Sequence, residues 1–449
     1  MGAVAEFSKL LGGNRAGEGG VAMSVCSAHP LVLRAMFRAA RRHETFALVE
    51  STSNQVDQYG GYTGMRPKDF ARLVHELAAE EGFPRERVLL GGDHLGPNSW
   101  RDRPAREAMA EACALVEAYV RAGFKKIHLD ASFVCAGEEG PLGDEVVSER
   151  CAEMAAVAER ACGGEPPLYV VGTEVPTPGG TVGGEELRIT TAEDVDRTLA
   201  TFREAFRRRG LEGAWERVVA LVVQPGVEFG DGSVHDFRPV PDLARRILAH
   251  PGMVYEAHST DYQTAQGLCR MVKDHFFILK VGPWLTFALR EALFLLELAE
   301  GELLPAHPSR LRETLARVMR EDARYWGRYY TGSSDEVAFK LAFSYSDRSR
   351  YYLGREPVAA AVERLYSNLG PRVPDVLLSQ YLPLQYRRVR AGELPPVARE
   401  LAVDRVRDVM ELYLEAGEAR DPPVTAEVAP EGVPRGPSPA LQTQGEAKP

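Results

Sequence analysis

The chain has 449 residues, of which 45% are hydrophobic and 26% charged, proportions that suit a globular protein with a large buried core. A formal net charge of −10 excludes nucleic acid or an anionic membrane as the main partner, because neither would meet a broad basic field. Local basic spots can still hold a small phosphorylated substrate. Cys26, Cys113, Cys135, Cys151, Cys162 and Cys269 show no Cys-x-x-Cys spacing, and the N-terminus has no basic-then-apolar leader. Reduced thiols in a cytoplasmic protein are therefore expected. No apolar run reaches the roughly 20 residues of a membrane span, so the expectation is a soluble chain.

Residues 1–19 read as an N-terminal lead. Short apolar, β-branched runs then follow at 21–26, 46–50, 88–92, 126–130, 168–173, 218–224, 253–257 and 276–281. Several are apolar almost throughout, as parallel strands covered on both faces should be. Between them, segments such as 68–81, 105–122, 145–161 and 192–209 place apolar residues at three- and four-residue steps, the spacing of amphipathic helices. Pro67 stands near a helix start, Thr191 suits an N-cap and Gly123 suits a helix end. Strand then helix, repeated about eight times, predicts an α/β fold of the (β/α)8 TIM-barrel type over 20–300. A doubly wound sheet would require a glycine-rich turn after an early strand, and no G-x-G-x-x-G stands there. After residue 301, helical stretches at 309–325, 334–343, 357–369 and 396–415 have no convincing strand between them. They predict a helical extension over 301–420 packed on the barrel. The Pro-, Glu-, Gly- and Ser-rich residues 421–449 have little to bury and are expected to form a disordered tail.

In such barrels the reacting groups come from strand ends and the loops after them. The second run ends in Glu50 and the third in Gly91-Gly92-Asp93-His94. The fourth carries His128 and Asp130, the fifth is followed by Glu174, and the sixth ends in Gln224. The seventh carries Glu256 and His258, and the eighth Lys280. Such groups are costly to bury unless they are paired, metal-bound or catalytic. His128 and Asp130, like Glu256 and His258, are two residues apart and share one side of a strand. His94, His128, Glu174 and His258 are the expected ligands of a divalent ion (Zn, Mn, Co or Ni), since imidazole and carboxylate suit these metals. Asp93 and Asp130 are the candidate acid and base, with a supporting role toward a ligating histidine as the alternative for each. Lys280 can pair with a carboxylate or a substrate oxygen, or form a Schiff base; the surrounding carboxylates and histidines favour the former. Glu50, Glu256 and Gln224 face the same mouth. The polar, glycine-rich loop from Ser51, with Asn54 and Gln55, is suited to sugar hydroxyls or a phosphate. Arg348 and Arg350 in the extension can reach a phosphate or remain solvated.

At these residues the chain resembles the GatZ/KbaZ-type family. The resemblance is carried by the runs beginning at Ser24 (Ser-Val-Cys-Ser-Ala-His-Pro), Glu50 (through Gly-Gly-Tyr-Thr-Gly-Met), Gly91 (Gly-Gly-Asp-His-Leu-Gly-Pro-Asn), Lys126 (Lys-Ile-His-Leu-Asp-Ala-Ser), Gly172 (Gly-Thr-Glu-Val-Pro) and Tyr345 (Tyr-Ser-Asp-Arg). It spans about residues 20–415. Family members are described as the non-catalytic subunit of class II D-tagatose-1,6-bisphosphate aldolase, as tagatose-6-phosphate kinases, and as metal-dependent 4-epimerases of fructose and tagatose or their 6-phosphates. A kinase fits least, since the chain has neither G-x-x-x-x-G-K-[ST] nor a kinase motif set. The Asp93-His94 pair also resembles the Asp-His pair of class II aldolases, where the aspartate handles protons and the histidine binds zinc.

Tagatose and fructose differ at C4, and the C4 hydrogen is not adjacent to the C2 carbonyl, so enolisation cannot remove it. Without a dinucleotide fingerprint, cleavage and re-formation of the C3–C4 bond is the expected route. That route needs a cation at the C2 carbonyl and a base for the C4 hydroxyl. The alternative is an accessory subunit that stabilises a separate catalytic aldolase chain. A homo-oligomer is a further expected partnership.

Overall fold

The computed structural model of the chain describes residues 1–173 and 187–418. Eight parallel strands close into one barrel: β1 (Ala22–Val25), β2 (Ala47–Thr52), β3 (Val88–Leu95), β4 (Lys126–Leu129), β5 (Leu168–Val171), β6 (Val218–Val223), β7 (Val254–Ala257) and β8 (Phe276–Val281). Each strand pairs with its sequence neighbours, and β1 closes the ring on β8 through Ala22 opposite Ile278 and Ser24 opposite Lys280. This is the expected (β/α)8 barrel, with a helical C-terminal part. A two-stranded ribbon, Glu228–Phe229 with Val234–His235, stands outside the ring after β6.

The helices follow from apolar stripes and local caps. Pro at the first helical position starts Pro30–Arg42, Pro67–Glu80, Pro241–Leu248 and Pro283–Glu302, where its missing N–H costs nothing. Thr191 caps Ala192–Arg208: its Oγ1 accepts from the Asp194 N–H at 3.2 Å, while Asp194 accepts from the Thr191 N–H at 3.1 Å. Gly123 takes φ +94° after Ala105–Arg121, a turn conformation that a Cβ disfavours.

The first residues are more than a lead. Residues Ala3–Arg15 form a helix that plugs the N-terminal end of the barrel. Phe7 sits edge-on to Phe46 at 5.9 Å and to Phe277 at 5.0 Å, and packs with inward-facing Leu48, Val170 and Ile278. The face that Ala3, Phe7 and Leu11 bury, flanked by Val4 and Leu10, was not expected to be helical. Its partners lie inside the barrel and not on a neighbouring helix.

Beyond the helix Pro283–Glu302, the extension runs through Leu311–Glu321, Ser334–Phe343, Glu356–Leu369, Asp375–Tyr381 and Pro383–Arg390 to Ala398–Glu418. The last of these returns to pack on Pro30–Arg42, Ala265–Lys273 and Pro283–Glu302. An ion pair pins the middle of the extension to the barrel. Arg290, 2% exposed, donates to Asp347 at 2.9 Å, and Thr286 donates to the same carboxylate at 2.6 Å. Asp347 takes φ +38°, and the Tyr262 hydroxyl donates to the Tyr345 carbonyl at 2.6 Å. These contacts hold residues 344–352 over the C-terminal mouth of the barrel. Residues 421–449, expected as a disordered tail, lie outside the described residues. All six cysteines are free thiols, and no described helix is long and apolar enough to cross a membrane.

Candidate active site

The strand alternation that buries Leu48 and Val170 at one end of the barrel buries charges at the other. Glu50, Lys126 and Glu256 are wholly enclosed. Lys126 Nζ lies 2.7 Å from Glu50 Oε1 and 2.5 Å from Glu256 Oε2, joining β2, β4 and β7 across the barrel. One step nearer the mouth, Lys280 Nζ lies 3.2 Å from Glu50 and 3.5 Å from Glu256, and is ion-paired with Asp93. The backbone makes room for this layer. A Cβ at Gly91 would meet Glu50 Cγ at 2.6 Å, so glycine is what lets the carboxylate lie inward.

Three imidazoles stand above the layer. His94, His128 and His258 have ring centroids 4.8 to 5.3 Å apart. His94 takes φ +48°, a left-handed conformation that costs a non-glycine residue of order 1 kcal/mol and that clusters at functional sites. The bend swings its ring out of the strand, so that Nδ1 donates to Asp130 at 2.8 Å. Ser132 holds the other Asp130 oxygen through its N–H at 3.1 Å and its hydroxyl at 2.6 Å. His258 Nε2 lies 2.8 Å from Glu256. His128 Nδ1 faces both the His94 N–H, at 3.2 Å, and Asp93 Oδ1, at 3.0 Å, while its buried Nε2 has no hydrogen-bond partner.

These environments set the charges. Burial lowers the His128 and His258 imidazoles, the latter to about 3, so both are neutral near pH 7 and able to ligate. Burial would raise the Asp93 carboxyl, but His94, Lys280 and His128 hold it well below its usual range. Against the same penalty, Lys126 and Lys280 hold Glu256 well below its range. Asp130, desolvated but bonded to His94, falls to about 2. Lys280 is pushed up, since Asp93, Glu50 and Glu256 outweigh its burial. A lysine so held is an ammonium, which disfavours a Schiff base.

One ligand atom from each of Asp93, His128, Glu256 and His258 falls within 4.8 Å of the others. Imidazole and carboxylate on separate strand ends form a donor set suited to a divalent ion. Two features show that a cation fits here. Three buried carboxyl groups (Glu50, Asp93 and Glu256) face only two lysines (Lys126 and Lys280). His128 Nε2 is also buried without a partner, a state that is costly unless something binds it.

The donor group opens into a cavity lined by Asp93, His94, His258 and Lys280 on the barrel side. Asn54, Gln55 and Tyr62 of the β2 loop form one wall, and Arg350 and Tyr351 of the extension form the roof. The β2 loop is ordered by Tyr119, whose hydroxyl donates to the Val56 carbonyl at 2.8 Å and lies 3.0 Å from Ser51 Oγ.

The expected residues divide accordingly. His128 and His258 fall in the four-donor group; Glu174 lies outside the described residues. His94 stands beside the group, with one nitrogen committed to Asp130. Glu256, expected to meet substrate, is one of the four donors, as is Asp93, expected as an acid or base. Asp130 does not line the cavity: both of its oxygens are engaged, so it orients His94 instead of facing substrate. Gln224 does not line it either. Its side-chain oxygen accepts from the Gly226 N–H at 2.8 Å and shapes the β6 loop. Arg348 turns away over the Tyr329 ring, with 3.4 Å between guanidinium and centroid, whereas Arg350 reaches the cavity. Glu50 lies beneath the cavity, paired to both lysines.

Sequence reasoning missed Lys126, Tyr62, Tyr351 and Asp261. Lys126 is two residues before His128 on the same strand face, which was the available signal. Asp261 follows His258 in a polar loop. It accepts the Gly282 and Trp284 N–H groups at 3.0 and 2.8 Å, and burial lifts its carboxyl to about 6.

A profile of the family described as "D-tagatose-1,6-bisphosphate aldolase subunit GatZ/KbaZ-like" matches residues 7–418. Among solved structures, a probable tagatose 6 phosphate kinase from Sinorhizobium meliloti 1021 is 47% identical with a TM-score of 0.83, covering 88% of this chain and 100% of that one. The fructose-bisphosphate aldolase of Campylobacter jejuni is 15% identical with a TM-score of 0.46, covering 85% and 98% respectively.

Proposed function

The chain belongs to the GatZ/KbaZ-like family, and from that premise we propose that it is a divalent-metal-dependent 4-epimerase. In this reading it interconverts fructose- and tagatose-type ketohexoses, as their 6-phosphates, by breaking and re-forming the C3–C4 bond. The observation that carries the reading is the convergence of Asp93, His128, Glu256 and His258 on one point at the barrel mouth. The barrel, residues 20–300, supplies the chemistry, and the extension, residues 301–420, supplies the roof.

A divalent ion held by His128, His258 and Glu256, with Asp93 beside them, would polarise the C2 carbonyl and stabilise the electron pair released by bond cleavage. Lys280, an ammonium in the cavity wall, donates a hydrogen bond to the same developing oxyanion. Asp93, held as a carboxylate, accepts the C4 hydroxyl proton as the C3–C4 electron pair moves toward C2. Asn54 and Gln55 hold the aldehyde fragment while it turns, and Tyr351 and Arg350 keep water away and prevent its escape. As the bond re-forms on the other face, Asp93 passes the proton it took to Nε2 of His94, whose Nδ1 is engaged by Asp130, and His94 returns it to the C4 oxygen. One proton makes the whole circuit, so the cycle closes without net transfer.

The word "subunit" in the family description supports a second reading, an accessory chain that stabilises a separate aldolase. Incubating the purified chain alone with fructose 6-phosphate or tagatose 6-phosphate decides between the two. The epimerase reading requires interconversion that stops on chelation and returns with Zn, Mn, Co or Ni. If no added metal gives interconversion or cleavage, and the chain binds an aldolase partner tightly, the accessory reading stands instead.

A further inference from the structure

A second cleft lies against the catalytic cavity, and the two share Asn54, Tyr62 and Tyr351 as a common wall. Three segments build it. Asp57 and Gly61 come from the β2 loop, Asn98, Ser99 and Arg101 from the β3 loop, and Arg324, Arg328 and Arg348 from the extension. In a chain of net charge −10, four guanidiniums gathered in one concave site run against the bulk charge. Among the described residues, the one carboxylate lining it is that of Asp57, whose Oδ1 accepts the Tyr59 and Gly61 N–H groups at 2.7 and 2.9 Å. Among the described residues, neither Arg101 nor Arg328 forms an ion pair. Arg324 approaches Asp322 only at 3.7 Å, and that carboxylate is bonded by Arg355 at 2.6 Å.

Arg348 is 2% exposed and stacked on Tyr329 at the back of the cleft. Asn98 and Ser99 add neutral donors. Planar guanidinium forks with amide and hydroxyl donors recognise tetrahedral oxyanions.

We propose that this cleft is a phosphate site, taking a phosphomonoester dianion on the far side of the Tyr62–Tyr351 wall from the metal-binding group. Because the anion would join the two barrel loops to the extension, its binding also fastens the roof over the cavity. The proposal rests on the epimerase reading only for the identity of the phosphate. That phosphate is either the substrate's own or a free phosphate bound alongside it.

The test is calorimetric titration of the full chain with inorganic phosphate and with fructose 6-phosphate, using wild type, Arg101→Ala and the double variant Arg324→Ala/Arg328→Ala. All three mutated side chains are solvent-facing, so the fold is not at stake. The expectation is one phosphate site per chain, weakened about tenfold or more in each variant. Displacement of phosphate by fructose 6-phosphate, but not by fructose, assigns the anion to the substrate. Phosphate binding unaffected by the sugar phosphate assigns it to a separate anion. Wild-type phosphate binding that is absent, or that persists unchanged in the double variant, overturns the proposal. None of these readings depends on turnover, so a chain that binds phosphate but does not epimerise contradicts only the catalytic assignment.

Discussion

The two ends of the barrel are built from the same eight strands and solve opposite problems. At the N-terminal end, Phe7 closes an apolar plug on Phe46 and Phe277. At the C-terminal end, Glu50, Lys126, Glu256, Lys280 and Asp93 occupy equivalent inward positions, two lysines against three carboxylates, with three histidines above them. Apolar filling contributes stability in proportion to area. Buried ion pairs at best break even against apolar packing of the same volume. The charged end therefore costs stability that the apolar end supplies, and it makes sense only if the charges are used.

Changes at one end should accordingly leave the property of the other intact. The largest effect is expected from His258→Ala, which removes a donor while leaving the apolar plug untouched. Bound metal should fall toward zero and turnover by about 10³-fold, read by metal analysis and rates; unchanged metal content would remove His258 from the site. Phe7→Ala should do the reverse, lowering unfolding free energy by about 3–5 kcal/mol while kcat holds, measured by denaturant unfolding alongside turnover. A fall in kcat with stability preserved would show that the ends are not independent.

Asp130→Asn keeps the shape of the partner behind His94 but removes its charge. A loss of about 10–100-fold in kcat is expected, with KM nearly constant. Loss in KM alone would mean that Asp130 meets substrate after all.

A pH-dependent effect belongs to His29, the N-cap of Pro30–Arg42, whose Nδ1 accepts from the Leu31 N–H at 3.3 Å. Burial lowers this imidazole from 6.5 to about 4. Below pH 6.5 the unfolded chain takes up a proton that the folded chain does not. The stability contribution is therefore present above 6.5 and is lost as pH falls toward 4, by up to about 1.4 kcal/mol per pH unit. His29→Asn keeps a capping side chain and should flatten that slope in unfolding curves between pH 6.5 and 4. An unaltered slope would place the titration elsewhere.

The barrel was legible because its strands are nearly continuous apolar runs and its helices carry caps such as Thr191, both local signals. The N-terminal helix was not, since Phe7 finds its partners in β2 and β8, far along the sequence. At the mouth, the two-residue spacing of His128 with Asp130 and of Glu256 with His258 pointed to ionisable groups at strand ends. It could not show that the bend at His94 turns its ring to Asp130, nor that Asp93 and Glu256 join His128 and His258. Lys126 was passed over because it opens its run directly after Lys125. Arg348 and Arg350, two residues apart, looked interchangeable, yet the short 3-10 turn Arg348–Tyr351 points them into different clefts.

In the proposed function, the charged end of the barrel holds one divalent cation at Asp93, His128, Glu256 and His258. Native mass spectrometry of the purified chain, loaded with Mn or Zn and then titrated with chelator, tests it directly. The expected result is one tightly held ion per chain, absent in His258→Ala and in His128→Ala although both variants remain folded. A wild-type chain that holds no ion under any loading condition, or variants that hold it as tightly as wild type, would contradict it.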